Sequence, residues 1–597
     1  MKTSYKIFAL CVLFASMMTS CKDFLNQPVY DDFTNEEFWN TEEQARAFFY
    51  GFYPSVFAGY GSGFSHGPFL MGQTLNDDVV SDKQQQDLTP LVVPVADGSW
   101  SFSSIRRANY ALASVKRINA SDAAIAHWQG VARFFRACFY SNLVFLYGDV
   151  PWYDRVPGTS EKDYLYKDRE PRTYVDSLLL EDWQYAMDNI RATDGALQVN
   201  RFVAAGMCSR FLLREGTFLK YHGETQAEKA MAERCLKMAK DAALLVMNSG
   251  RYTIWPVYTE LFTSEDLGAN TECLISRHYE DGVLSHSTLT YSFTEAQAGV
   301  CKSIAEAFVC SDGLPVYVKD EFWVAHNAGE FFANRDPRLS FTIRHNDNKY
   351  YFKGLDNQPY NYALSGYSWR KFMDDNRSAK PEPTWTGSKN VTDAPCLRYA
   401  EVLLNYAEAA YELHLINPNT YAFTDEDLNK SINLIRARAD VNLPALQLAG
   451  DKMSVNGRAF DDPVRLQIEN NADGPITDAI LWEIRRERRV ELCLEGFRLN
   501  DLKRWGKLDY VWNGCNPDIR YGAYIVLDDY KDAAGKSTLD PEVVLEDPNA
   551  TEGYVLRNTL GGRNRPTARN YVNPVPSGQI TLYESKGYKL TQTKEWQ

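Results

Sequence analysis

The sequence predicts a mainly α fold: tetratricopeptide-like helix pairs, with a loop-rich region and short strands packed on the helical frame. Three observations predict it. Apolar residues recur at helical spacing over 41–57, 100–118, 123–147, 173–190, 201–221, 226–247 and 397–415, mostly with short connections. Alanine and glycine alternate with aromatics inside these runs, as needed where stacked helix pairs approach closely. Residues 280–395 lose this period and are rich in Gly, Pro, Asn and aromatics, the composition of loops with short strands. No strict 34-residue repeat consensus is present.

The bulk numbers narrow the function. Aromatic content is 13%, which suits a packed helical body and also a surface that stacks on planar or sugar-like ligands. Net charge is −14 and no Lys/Arg run stands outside 485–505, so nucleic acid is not expected as a partner. Eleven cysteines include no Cys-x-x-Cys pair, which argues against structural zinc. Eight histidines show no His-Glu-x-x-His spacing, and no EF-hand spacing supports a structural calcium ion. No cofactor is expected.

At the start of the chain, Lys2 and Lys6 precede an apolar stretch over 7–18, too short to span a bilayer and suited to a signal peptide. It closes on Met18-Thr19-Ser20-Cys21, which resembles a bacterial lipobox. A lipid on Cys21 would anchor the protein without a transmembrane helix, with 22–32 as a tether. The expected division is a signal peptide over 1–20, an N-terminal part over 21–225 and a C-terminal part over 226–597, in one compact body. Setting aside Cys11 and Cys21 leaves nine cysteines, an odd number that forbids complete internal pairing.

Thr41-Glu42-Glu43 starts the first helix. The loop 59–67 then contains a formal G-x-S-x-G match at Gly63 to Gly67, but a helix precedes it and Pro68 follows. A nucleophile elbow needs a strand before and a helix after. A surface loop presenting Tyr60 and Phe64 is the better reading, with Asp77 and Asp78 as hydroxyl acceptors or a solvated turn. The helix 123–147 stops at Gly148-Asp149-Val150-Pro151, a glycine C-cap followed by proline. A helix over 425–439 pairs with 397–415.

A further helix starts near Thr477. Glu487, Glu491 and Glu495 lie at i, i+4 spacing on its partly inward side, Gly496 is its expected stop, and Arg498, Asp501 and Arg504 follow. Inward carboxylates need partners, and the neighbouring arginines are the evident ones. The stretch is either a catalytic carboxylate cluster or a structural clasp between helices and loop. Arginine beside every carboxylate depresses carboxylate pKa, which is wrong for a general acid and favours the clasp.

Several stretches together resemble the SusD/RagB family of outer-membrane nutrient-binding lipoproteins. They are Ala132-Arg133-Phe134 through Tyr147-Gly148-Asp149-Val150-Pro151, Asn334 to Leu339, Arg398 to Ala409, Ile435 to Ala439, Glu487 to Gly506, Asn573-Pro574-Val575-Pro576, and Leu590 to Trp596. The resemblance implies a non-enzymatic cell-surface protein, lipid-anchored at the outer membrane, that binds glycans and passes them to a SusC-like TonB-dependent transporter. Some members of the family bind peptides instead.

Ligand contacts are expected from loop aromatics outside helical periodicity: Tyr60, Phe64, Tyr291, Phe293, Trp323, Tyr367, Trp369 and Trp385. Each stacking contact contributes about 1 kcal/mol beyond area burial, so two or three are needed for even weak capture. Two other readings stand beside glycan binding: a peptide-binding scaffold, and a helical glycoside hydrolase, which would need two carboxylates flanking a cleft, one with a raised pKa.

Overall fold

A computed structural model describes residues 38–70, 72–81, 88, 92–195, 197–346, 348–353, 362–373, 387–557 and 563–597, without the side chains of residues 293 and 294. Cys21, the expected signal peptide and tether, and Trp385 lie outside the described residues, as does the side chain of Phe293.

Eleven helices of seven residues or more occur among the described residues: α1 Glu42–Tyr50, α2 Ser103–Ser114, α3 Asp122–Tyr147, α4 Arg172–Asn189, α5 Arg201–His222, α6 Gln226–Met247, α7 Tyr399–Ile416, α8 Pro463–Glu469, α9 Ala479–Glu491, α10 Arg498–Arg504 and α11 Ser577–Ser585. Side chains set their ends. Thr41 and Thr225 close capping boxes with Gln44 and Glu228, and Ser121 accepts from the Ala124 N–H at the head of α3. Gly148 ends α3 at φ 72°, in the region that favours glycine.

Helix α3 packs on α4, α5 on α6, and α6 on α7, giving the stacked frame. A Cβ added to Gly216 of α5 would lie 3.0 Å from the Ala232 carbonyl of α6, so glycine permits that close approach. Two expected helices are broken. The run over 41–57 divides at Gly51 because Pro54 cannot continue the hydrogen-bond ladder and instead sits in the first turn of a new short helix, Tyr53–Val56. The run over 425–439 divides into Asp425–Asn429 and Ile432–Arg436 at Ser431, whose backbone is far from helical.

The strands are short and antiparallel. Val79–Ser81 pairs with Ala298–Val300, and Cys273–Arg277 pairs with Ala394–Arg398, leading straight into α7. Two large hydrophobic cores, beside smaller clusters, occur among the described residues. One is the helical frame; the other lies under the loop-rich region, and both draw on residues from before and after position 225. Helix α9 and the turn after it bridge them: Ile480, Leu481 and Ile484 pack in the first core, and Val490, Cys493 and Leu494 in the second. All nine described cysteines are free thiols, seven of them buried. No described helix is long and apolar enough to cross a membrane.

Candidate functional site

The loop over 59–67 folds into a two-stranded hairpin, with Gly61 opposite His66 and Ser62 opposite Ser65. Gly63 takes the first central position of the two-residue turn at φ 56°, which leaves Phe64 at the apex. Phe64 is 68% exposed, an unusual position for a phenylalanine. The hairpin is anchored by the Gly63 N–H donating to the Ser285 carbonyl at 2.8 Å, and the His66 ring meets the Tyr291 ring at 5.1 Å between centroids. Tyr291 packs in turn on Trp369 at 5.7 Å.

The segment below is fastened to 387–390. His286 and Asn390 exchange main-chain hydrogen bonds at 2.9 and 3.0 Å, and the Thr290 hydroxyl donates to the Gly387 carbonyl at 2.6 Å. Phe64, His66 and Tyr291 thus share one face, and an added Cβ on Gly387 would come within 3.9 Å of the Phe64 ring. The face offers one exposed ring, one half-buried phenol and a half-buried imidazole whose Nδ1 has no partner among the described residues. Ser65 lies on a hairpin strand and not at a strand-to-helix turn, so the G-x-S-x-G match is not a nucleophile elbow.

Behind this face lies a buried ionic network. Glu487 binds Arg338 and Arg436, Glu491 binds Arg338, Arg398 and Arg438, and Glu495 binds Arg398 and Lys371. Glu272 closes it from the strand side, at 2.6 Å from Arg438 Nη1 and 3.0 Å from Arg398 Nη1. Burial works to raise the Glu491 carboxyl, but Arg438, Arg398 and Arg338 outweigh it and hold it well below the usual carboxylate range. Glu487 and Glu495 are lowered in the same way, against burial, by Arg436 and Arg338 and by Arg398 and Lys371. A general acid needs the opposite shift.

The partners differ from those expected. The neighbouring arginines turn away: Arg485 goes to Glu412, Arg486 to Glu483, Arg488 to Asp501 and Arg489 to Asp78. With 3.6 residues per turn, positions 485, 486, 488 and 489 point well off the stripe that carries Glu487 and Glu491. Helix α9 also starts one residue later than expected, with Asp478 as N-cap, and ends at Glu491. A turn with Leu494 and Gly496 at positive φ follows, and a Cβ on Gly496 would meet the Pro68 carbonyl at 2.2 Å.

Residues 278–596 match the sequence profile of the SusD family, more than half of the chain. The chain belongs to the SusD family. It is 23% identical over 435 residues to a SusD-like protein P2 of Formosa agariphila, covering 71% of this chain and 74% of that protein. Its structure is similar to that of a SusD-like carbohydrate-binding protein of Bacteroides fragilis, with a TM-score of 0.63 at 19% identity over 91% of this chain and 99% of that one. A laminarin-binding SusD-like protein superposes with a TM-score of 0.55 at 15% identity, over 93% of this chain and all of the other.

Within this SusD-family fold, the remaining expected site residues fall in other places. Asp77 and Asp78 are buried and held by arginine: Arg498 grips both Asp77 oxygens at 2.7 Å, and Arg489 Nε reaches Asp78 at 2.7 Å. They therefore form a second buried ionic cluster with Arg489 and Arg498 and are not hydroxyl acceptors on the surface. Arg504 spans Asp501 and Glu408. Tyr60, Tyr367 and Trp369 are core residues, with Trp369 only 1% exposed, because the loop chain folds back over them. Trp323 is half-buried among Tyr317, Phe331 and Arg335, in a separate aromatic group beside exposed Phe322. Sequence reading missed Arg338, Arg398, Arg436, Arg438 and Glu272 as network members. The signal was a set of arginines in otherwise apolar or turn contexts, Asp336-Pro337-Arg338 and Arg436-Ala437-Arg438 among them.

Proposed function

We propose that this protein is a cell-surface glycan-binding protein, held at the outer membrane by a lipid on Cys21, that captures oligo- or polysaccharide and delivers it to a SusC-like TonB-dependent transporter. Family membership and the carbohydrate-binding relatives support the ligand class. The observation that carries the reading for this chain is the exposed Phe64 ring at the apex of a hairpin whose His66 packs on Tyr291. A phenylalanine so exposed on a rigid support loses little entropy on stacking against a sugar face. The protein binds and does not cleave: the three glutamates that first invite a hydrolytic reading are locked to arginine and lysine in their ionised form.

Affinity electrophoresis against a panel of neutral and acidic glycans tests the reading. Retardation by at least one glycan is expected, weakened in Phe64→Ala and Tyr291→Ala. Retardation by none of the panel, or release of reducing ends from a retained polysaccharide, would overturn it. Co-purification with a transporter from outer membranes, lost in Cys21→Ala, tests the anchoring and delivery.

A further inference from the structure

Gly59 and Pro68, at the two ends of the hairpin loop, also line a crevice of about 360 Å³ between α5, the start of α7 and the turn after α9. Phe64 and Tyr291 take no part in it. Its rim carries exposed Ser55, Asn142 and Asn500. Five arginines line its walls, and four are tied to carboxylates: Arg210 to Glu401, Arg398 to Glu495, Arg488 to Asp501 and Arg504 to Glu408.

Arg214 is the exception. Its guanidinium donates only to neutral oxygens, to Asn142 Oδ1 at 3.1 Å and to the Ser141 carbonyl at 2.7 Å, and its Nε has no partner. Phe145 and Phe211 pack on it at 4.3 and 4.8 Å, fixing the plane of the fork. Burial without a paired carboxylate pushes this arginine down to about 9. The one carboxylate that attracts it, Glu215, is already bound by Arg172, so in a chain of net charge −14 this guanidinium sits in the crevice with no salt-bridge partner of its own. A planar fork of this kind recognises a carboxylate, and the rim amides and hydroxyl can read neighbouring sugar hydroxyls.

We propose that this crevice is a second saccharide site, specific for the carboxylate of an acidic sugar, with Arg214 as the anion's partner and Asn142 and Asn500 on the hydroxyls. It stands independently of the aromatic face. Isothermal titration calorimetry of the detergent-purified full chain with sodium glucuronate and with glucose, at ionic strength fixed with sodium chloride, tests it. Glucuronate should bind saturably and glucose should not. Arg214→Gln should weaken glucuronate binding tenfold or more. Asn142→Asp, at the exposed rim, should do the same by supplying the missing carboxylate, and it remains informative if the arginine variant fails to fold. Phe64→Ala should leave glucuronate binding unchanged. Absence of glucuronate binding by the unmodified protein, equal binding of glucose, or unchanged glucuronate affinity in Asn142→Asp would overturn the proposal.

Discussion

Arg398 grips Glu491 twice, through its carboxylate at 2.6 Å and through its main-chain carbonyl at 2.8 Å. One residue precedes α7 and the other ends α9, so this contact fixes where the helical frame hands over to the loop-rich half. The same arginine reaches Glu495 and Glu272, which ties both sides of the handover into one charged unit buried between two apolar cores.

Removing Glu491 should therefore be costly. Its carboxylate satisfies Arg338, Arg398 and Arg438. Losing one partner of a buried ion pair costs about 3–5 kcal/mol, because the remaining charges stay desolvated and unpaired. Glu491→Ala should lower the urea midpoint by a corresponding amount with little change in m-value. An unchanged midpoint would show that the network is ornamental.

The network also sets an acid limit. Glu487, Glu491 and Glu495 have folded-state pKa values below their ordinary ones. The unfolded chain then binds more protons than the native one as pH falls, so stability from these groups is full above about pH 5 and drains away below about pH 4. Thermal midpoints measured from pH 7 to pH 3 should fall steeply at the acid end. The fall should be shallower in Glu487→Gln, which has one fewer such carboxylate to protonate.

Glu483 behaves in the opposite sense. Burial raises its carboxyl to about 7, with Asp462 and Glu487 adding to the shift and Arg486 only partly opposing it. One of its oxygens has no hydrogen-bond partner among the described residues. The folded state now binds the proton more tightly, so this group's contribution is greatest below about pH 4 and declines as pH rises to about 7. Keeping it charged at pH 8 costs on the order of 3 kcal/mol. Glu483→Gln should raise the melting temperature at pH 8 and narrow the gap at pH 5. A lower melting temperature at pH 8 would mean that the Arg486 pair outweighs burial.

Helix existence was legible because the 3.6-residue period is a local property of the chain. The helices over 201–221 and 226–247 have matching ends in α5 and α6, where Asn200 and Thr225 provide strong N-caps. The division of 41–57 was readable too, from Pro54, but the aromatic stripe continued across it. What periodicity cannot carry is long-range partnership. The arginines that meet Glu491 come from positions 338, 398 and 438, brought together only by the fold. Loop aromatics are the hardest case. Tyr60 and Phe64 lie four residues apart in one glycine-rich loop, yet hairpin geometry turns Tyr60 onto Phe69 and Phe372 and sends Phe64 into solvent.

That divergence yields the sharpest comparison of aromatic substitutions. Phe64 makes no ring contact among the described residues that would hold the fold together, and its loss removes mostly exposed apolar surface. Trp369 is enclosed in the second core and supports Tyr291 from beneath. Phe64→Ala should leave the melting temperature within about 1 °C, since surface changes stay within roughly 0.5 kcal/mol, and should weaken glycan retardation several-fold. Trp369→Ala should cost about 3–5 kcal/mol through the cavity it opens, and its effect on glycan retardation should track the loss of folded protein. Measuring retardation and thermal unfolding on the same preparations separates the two roles. Full glycan retention in a folded Phe64→Ala protein would move the ligand site away from the hairpin, with the half-buried Trp323 and exposed Phe322 as the next surface to test.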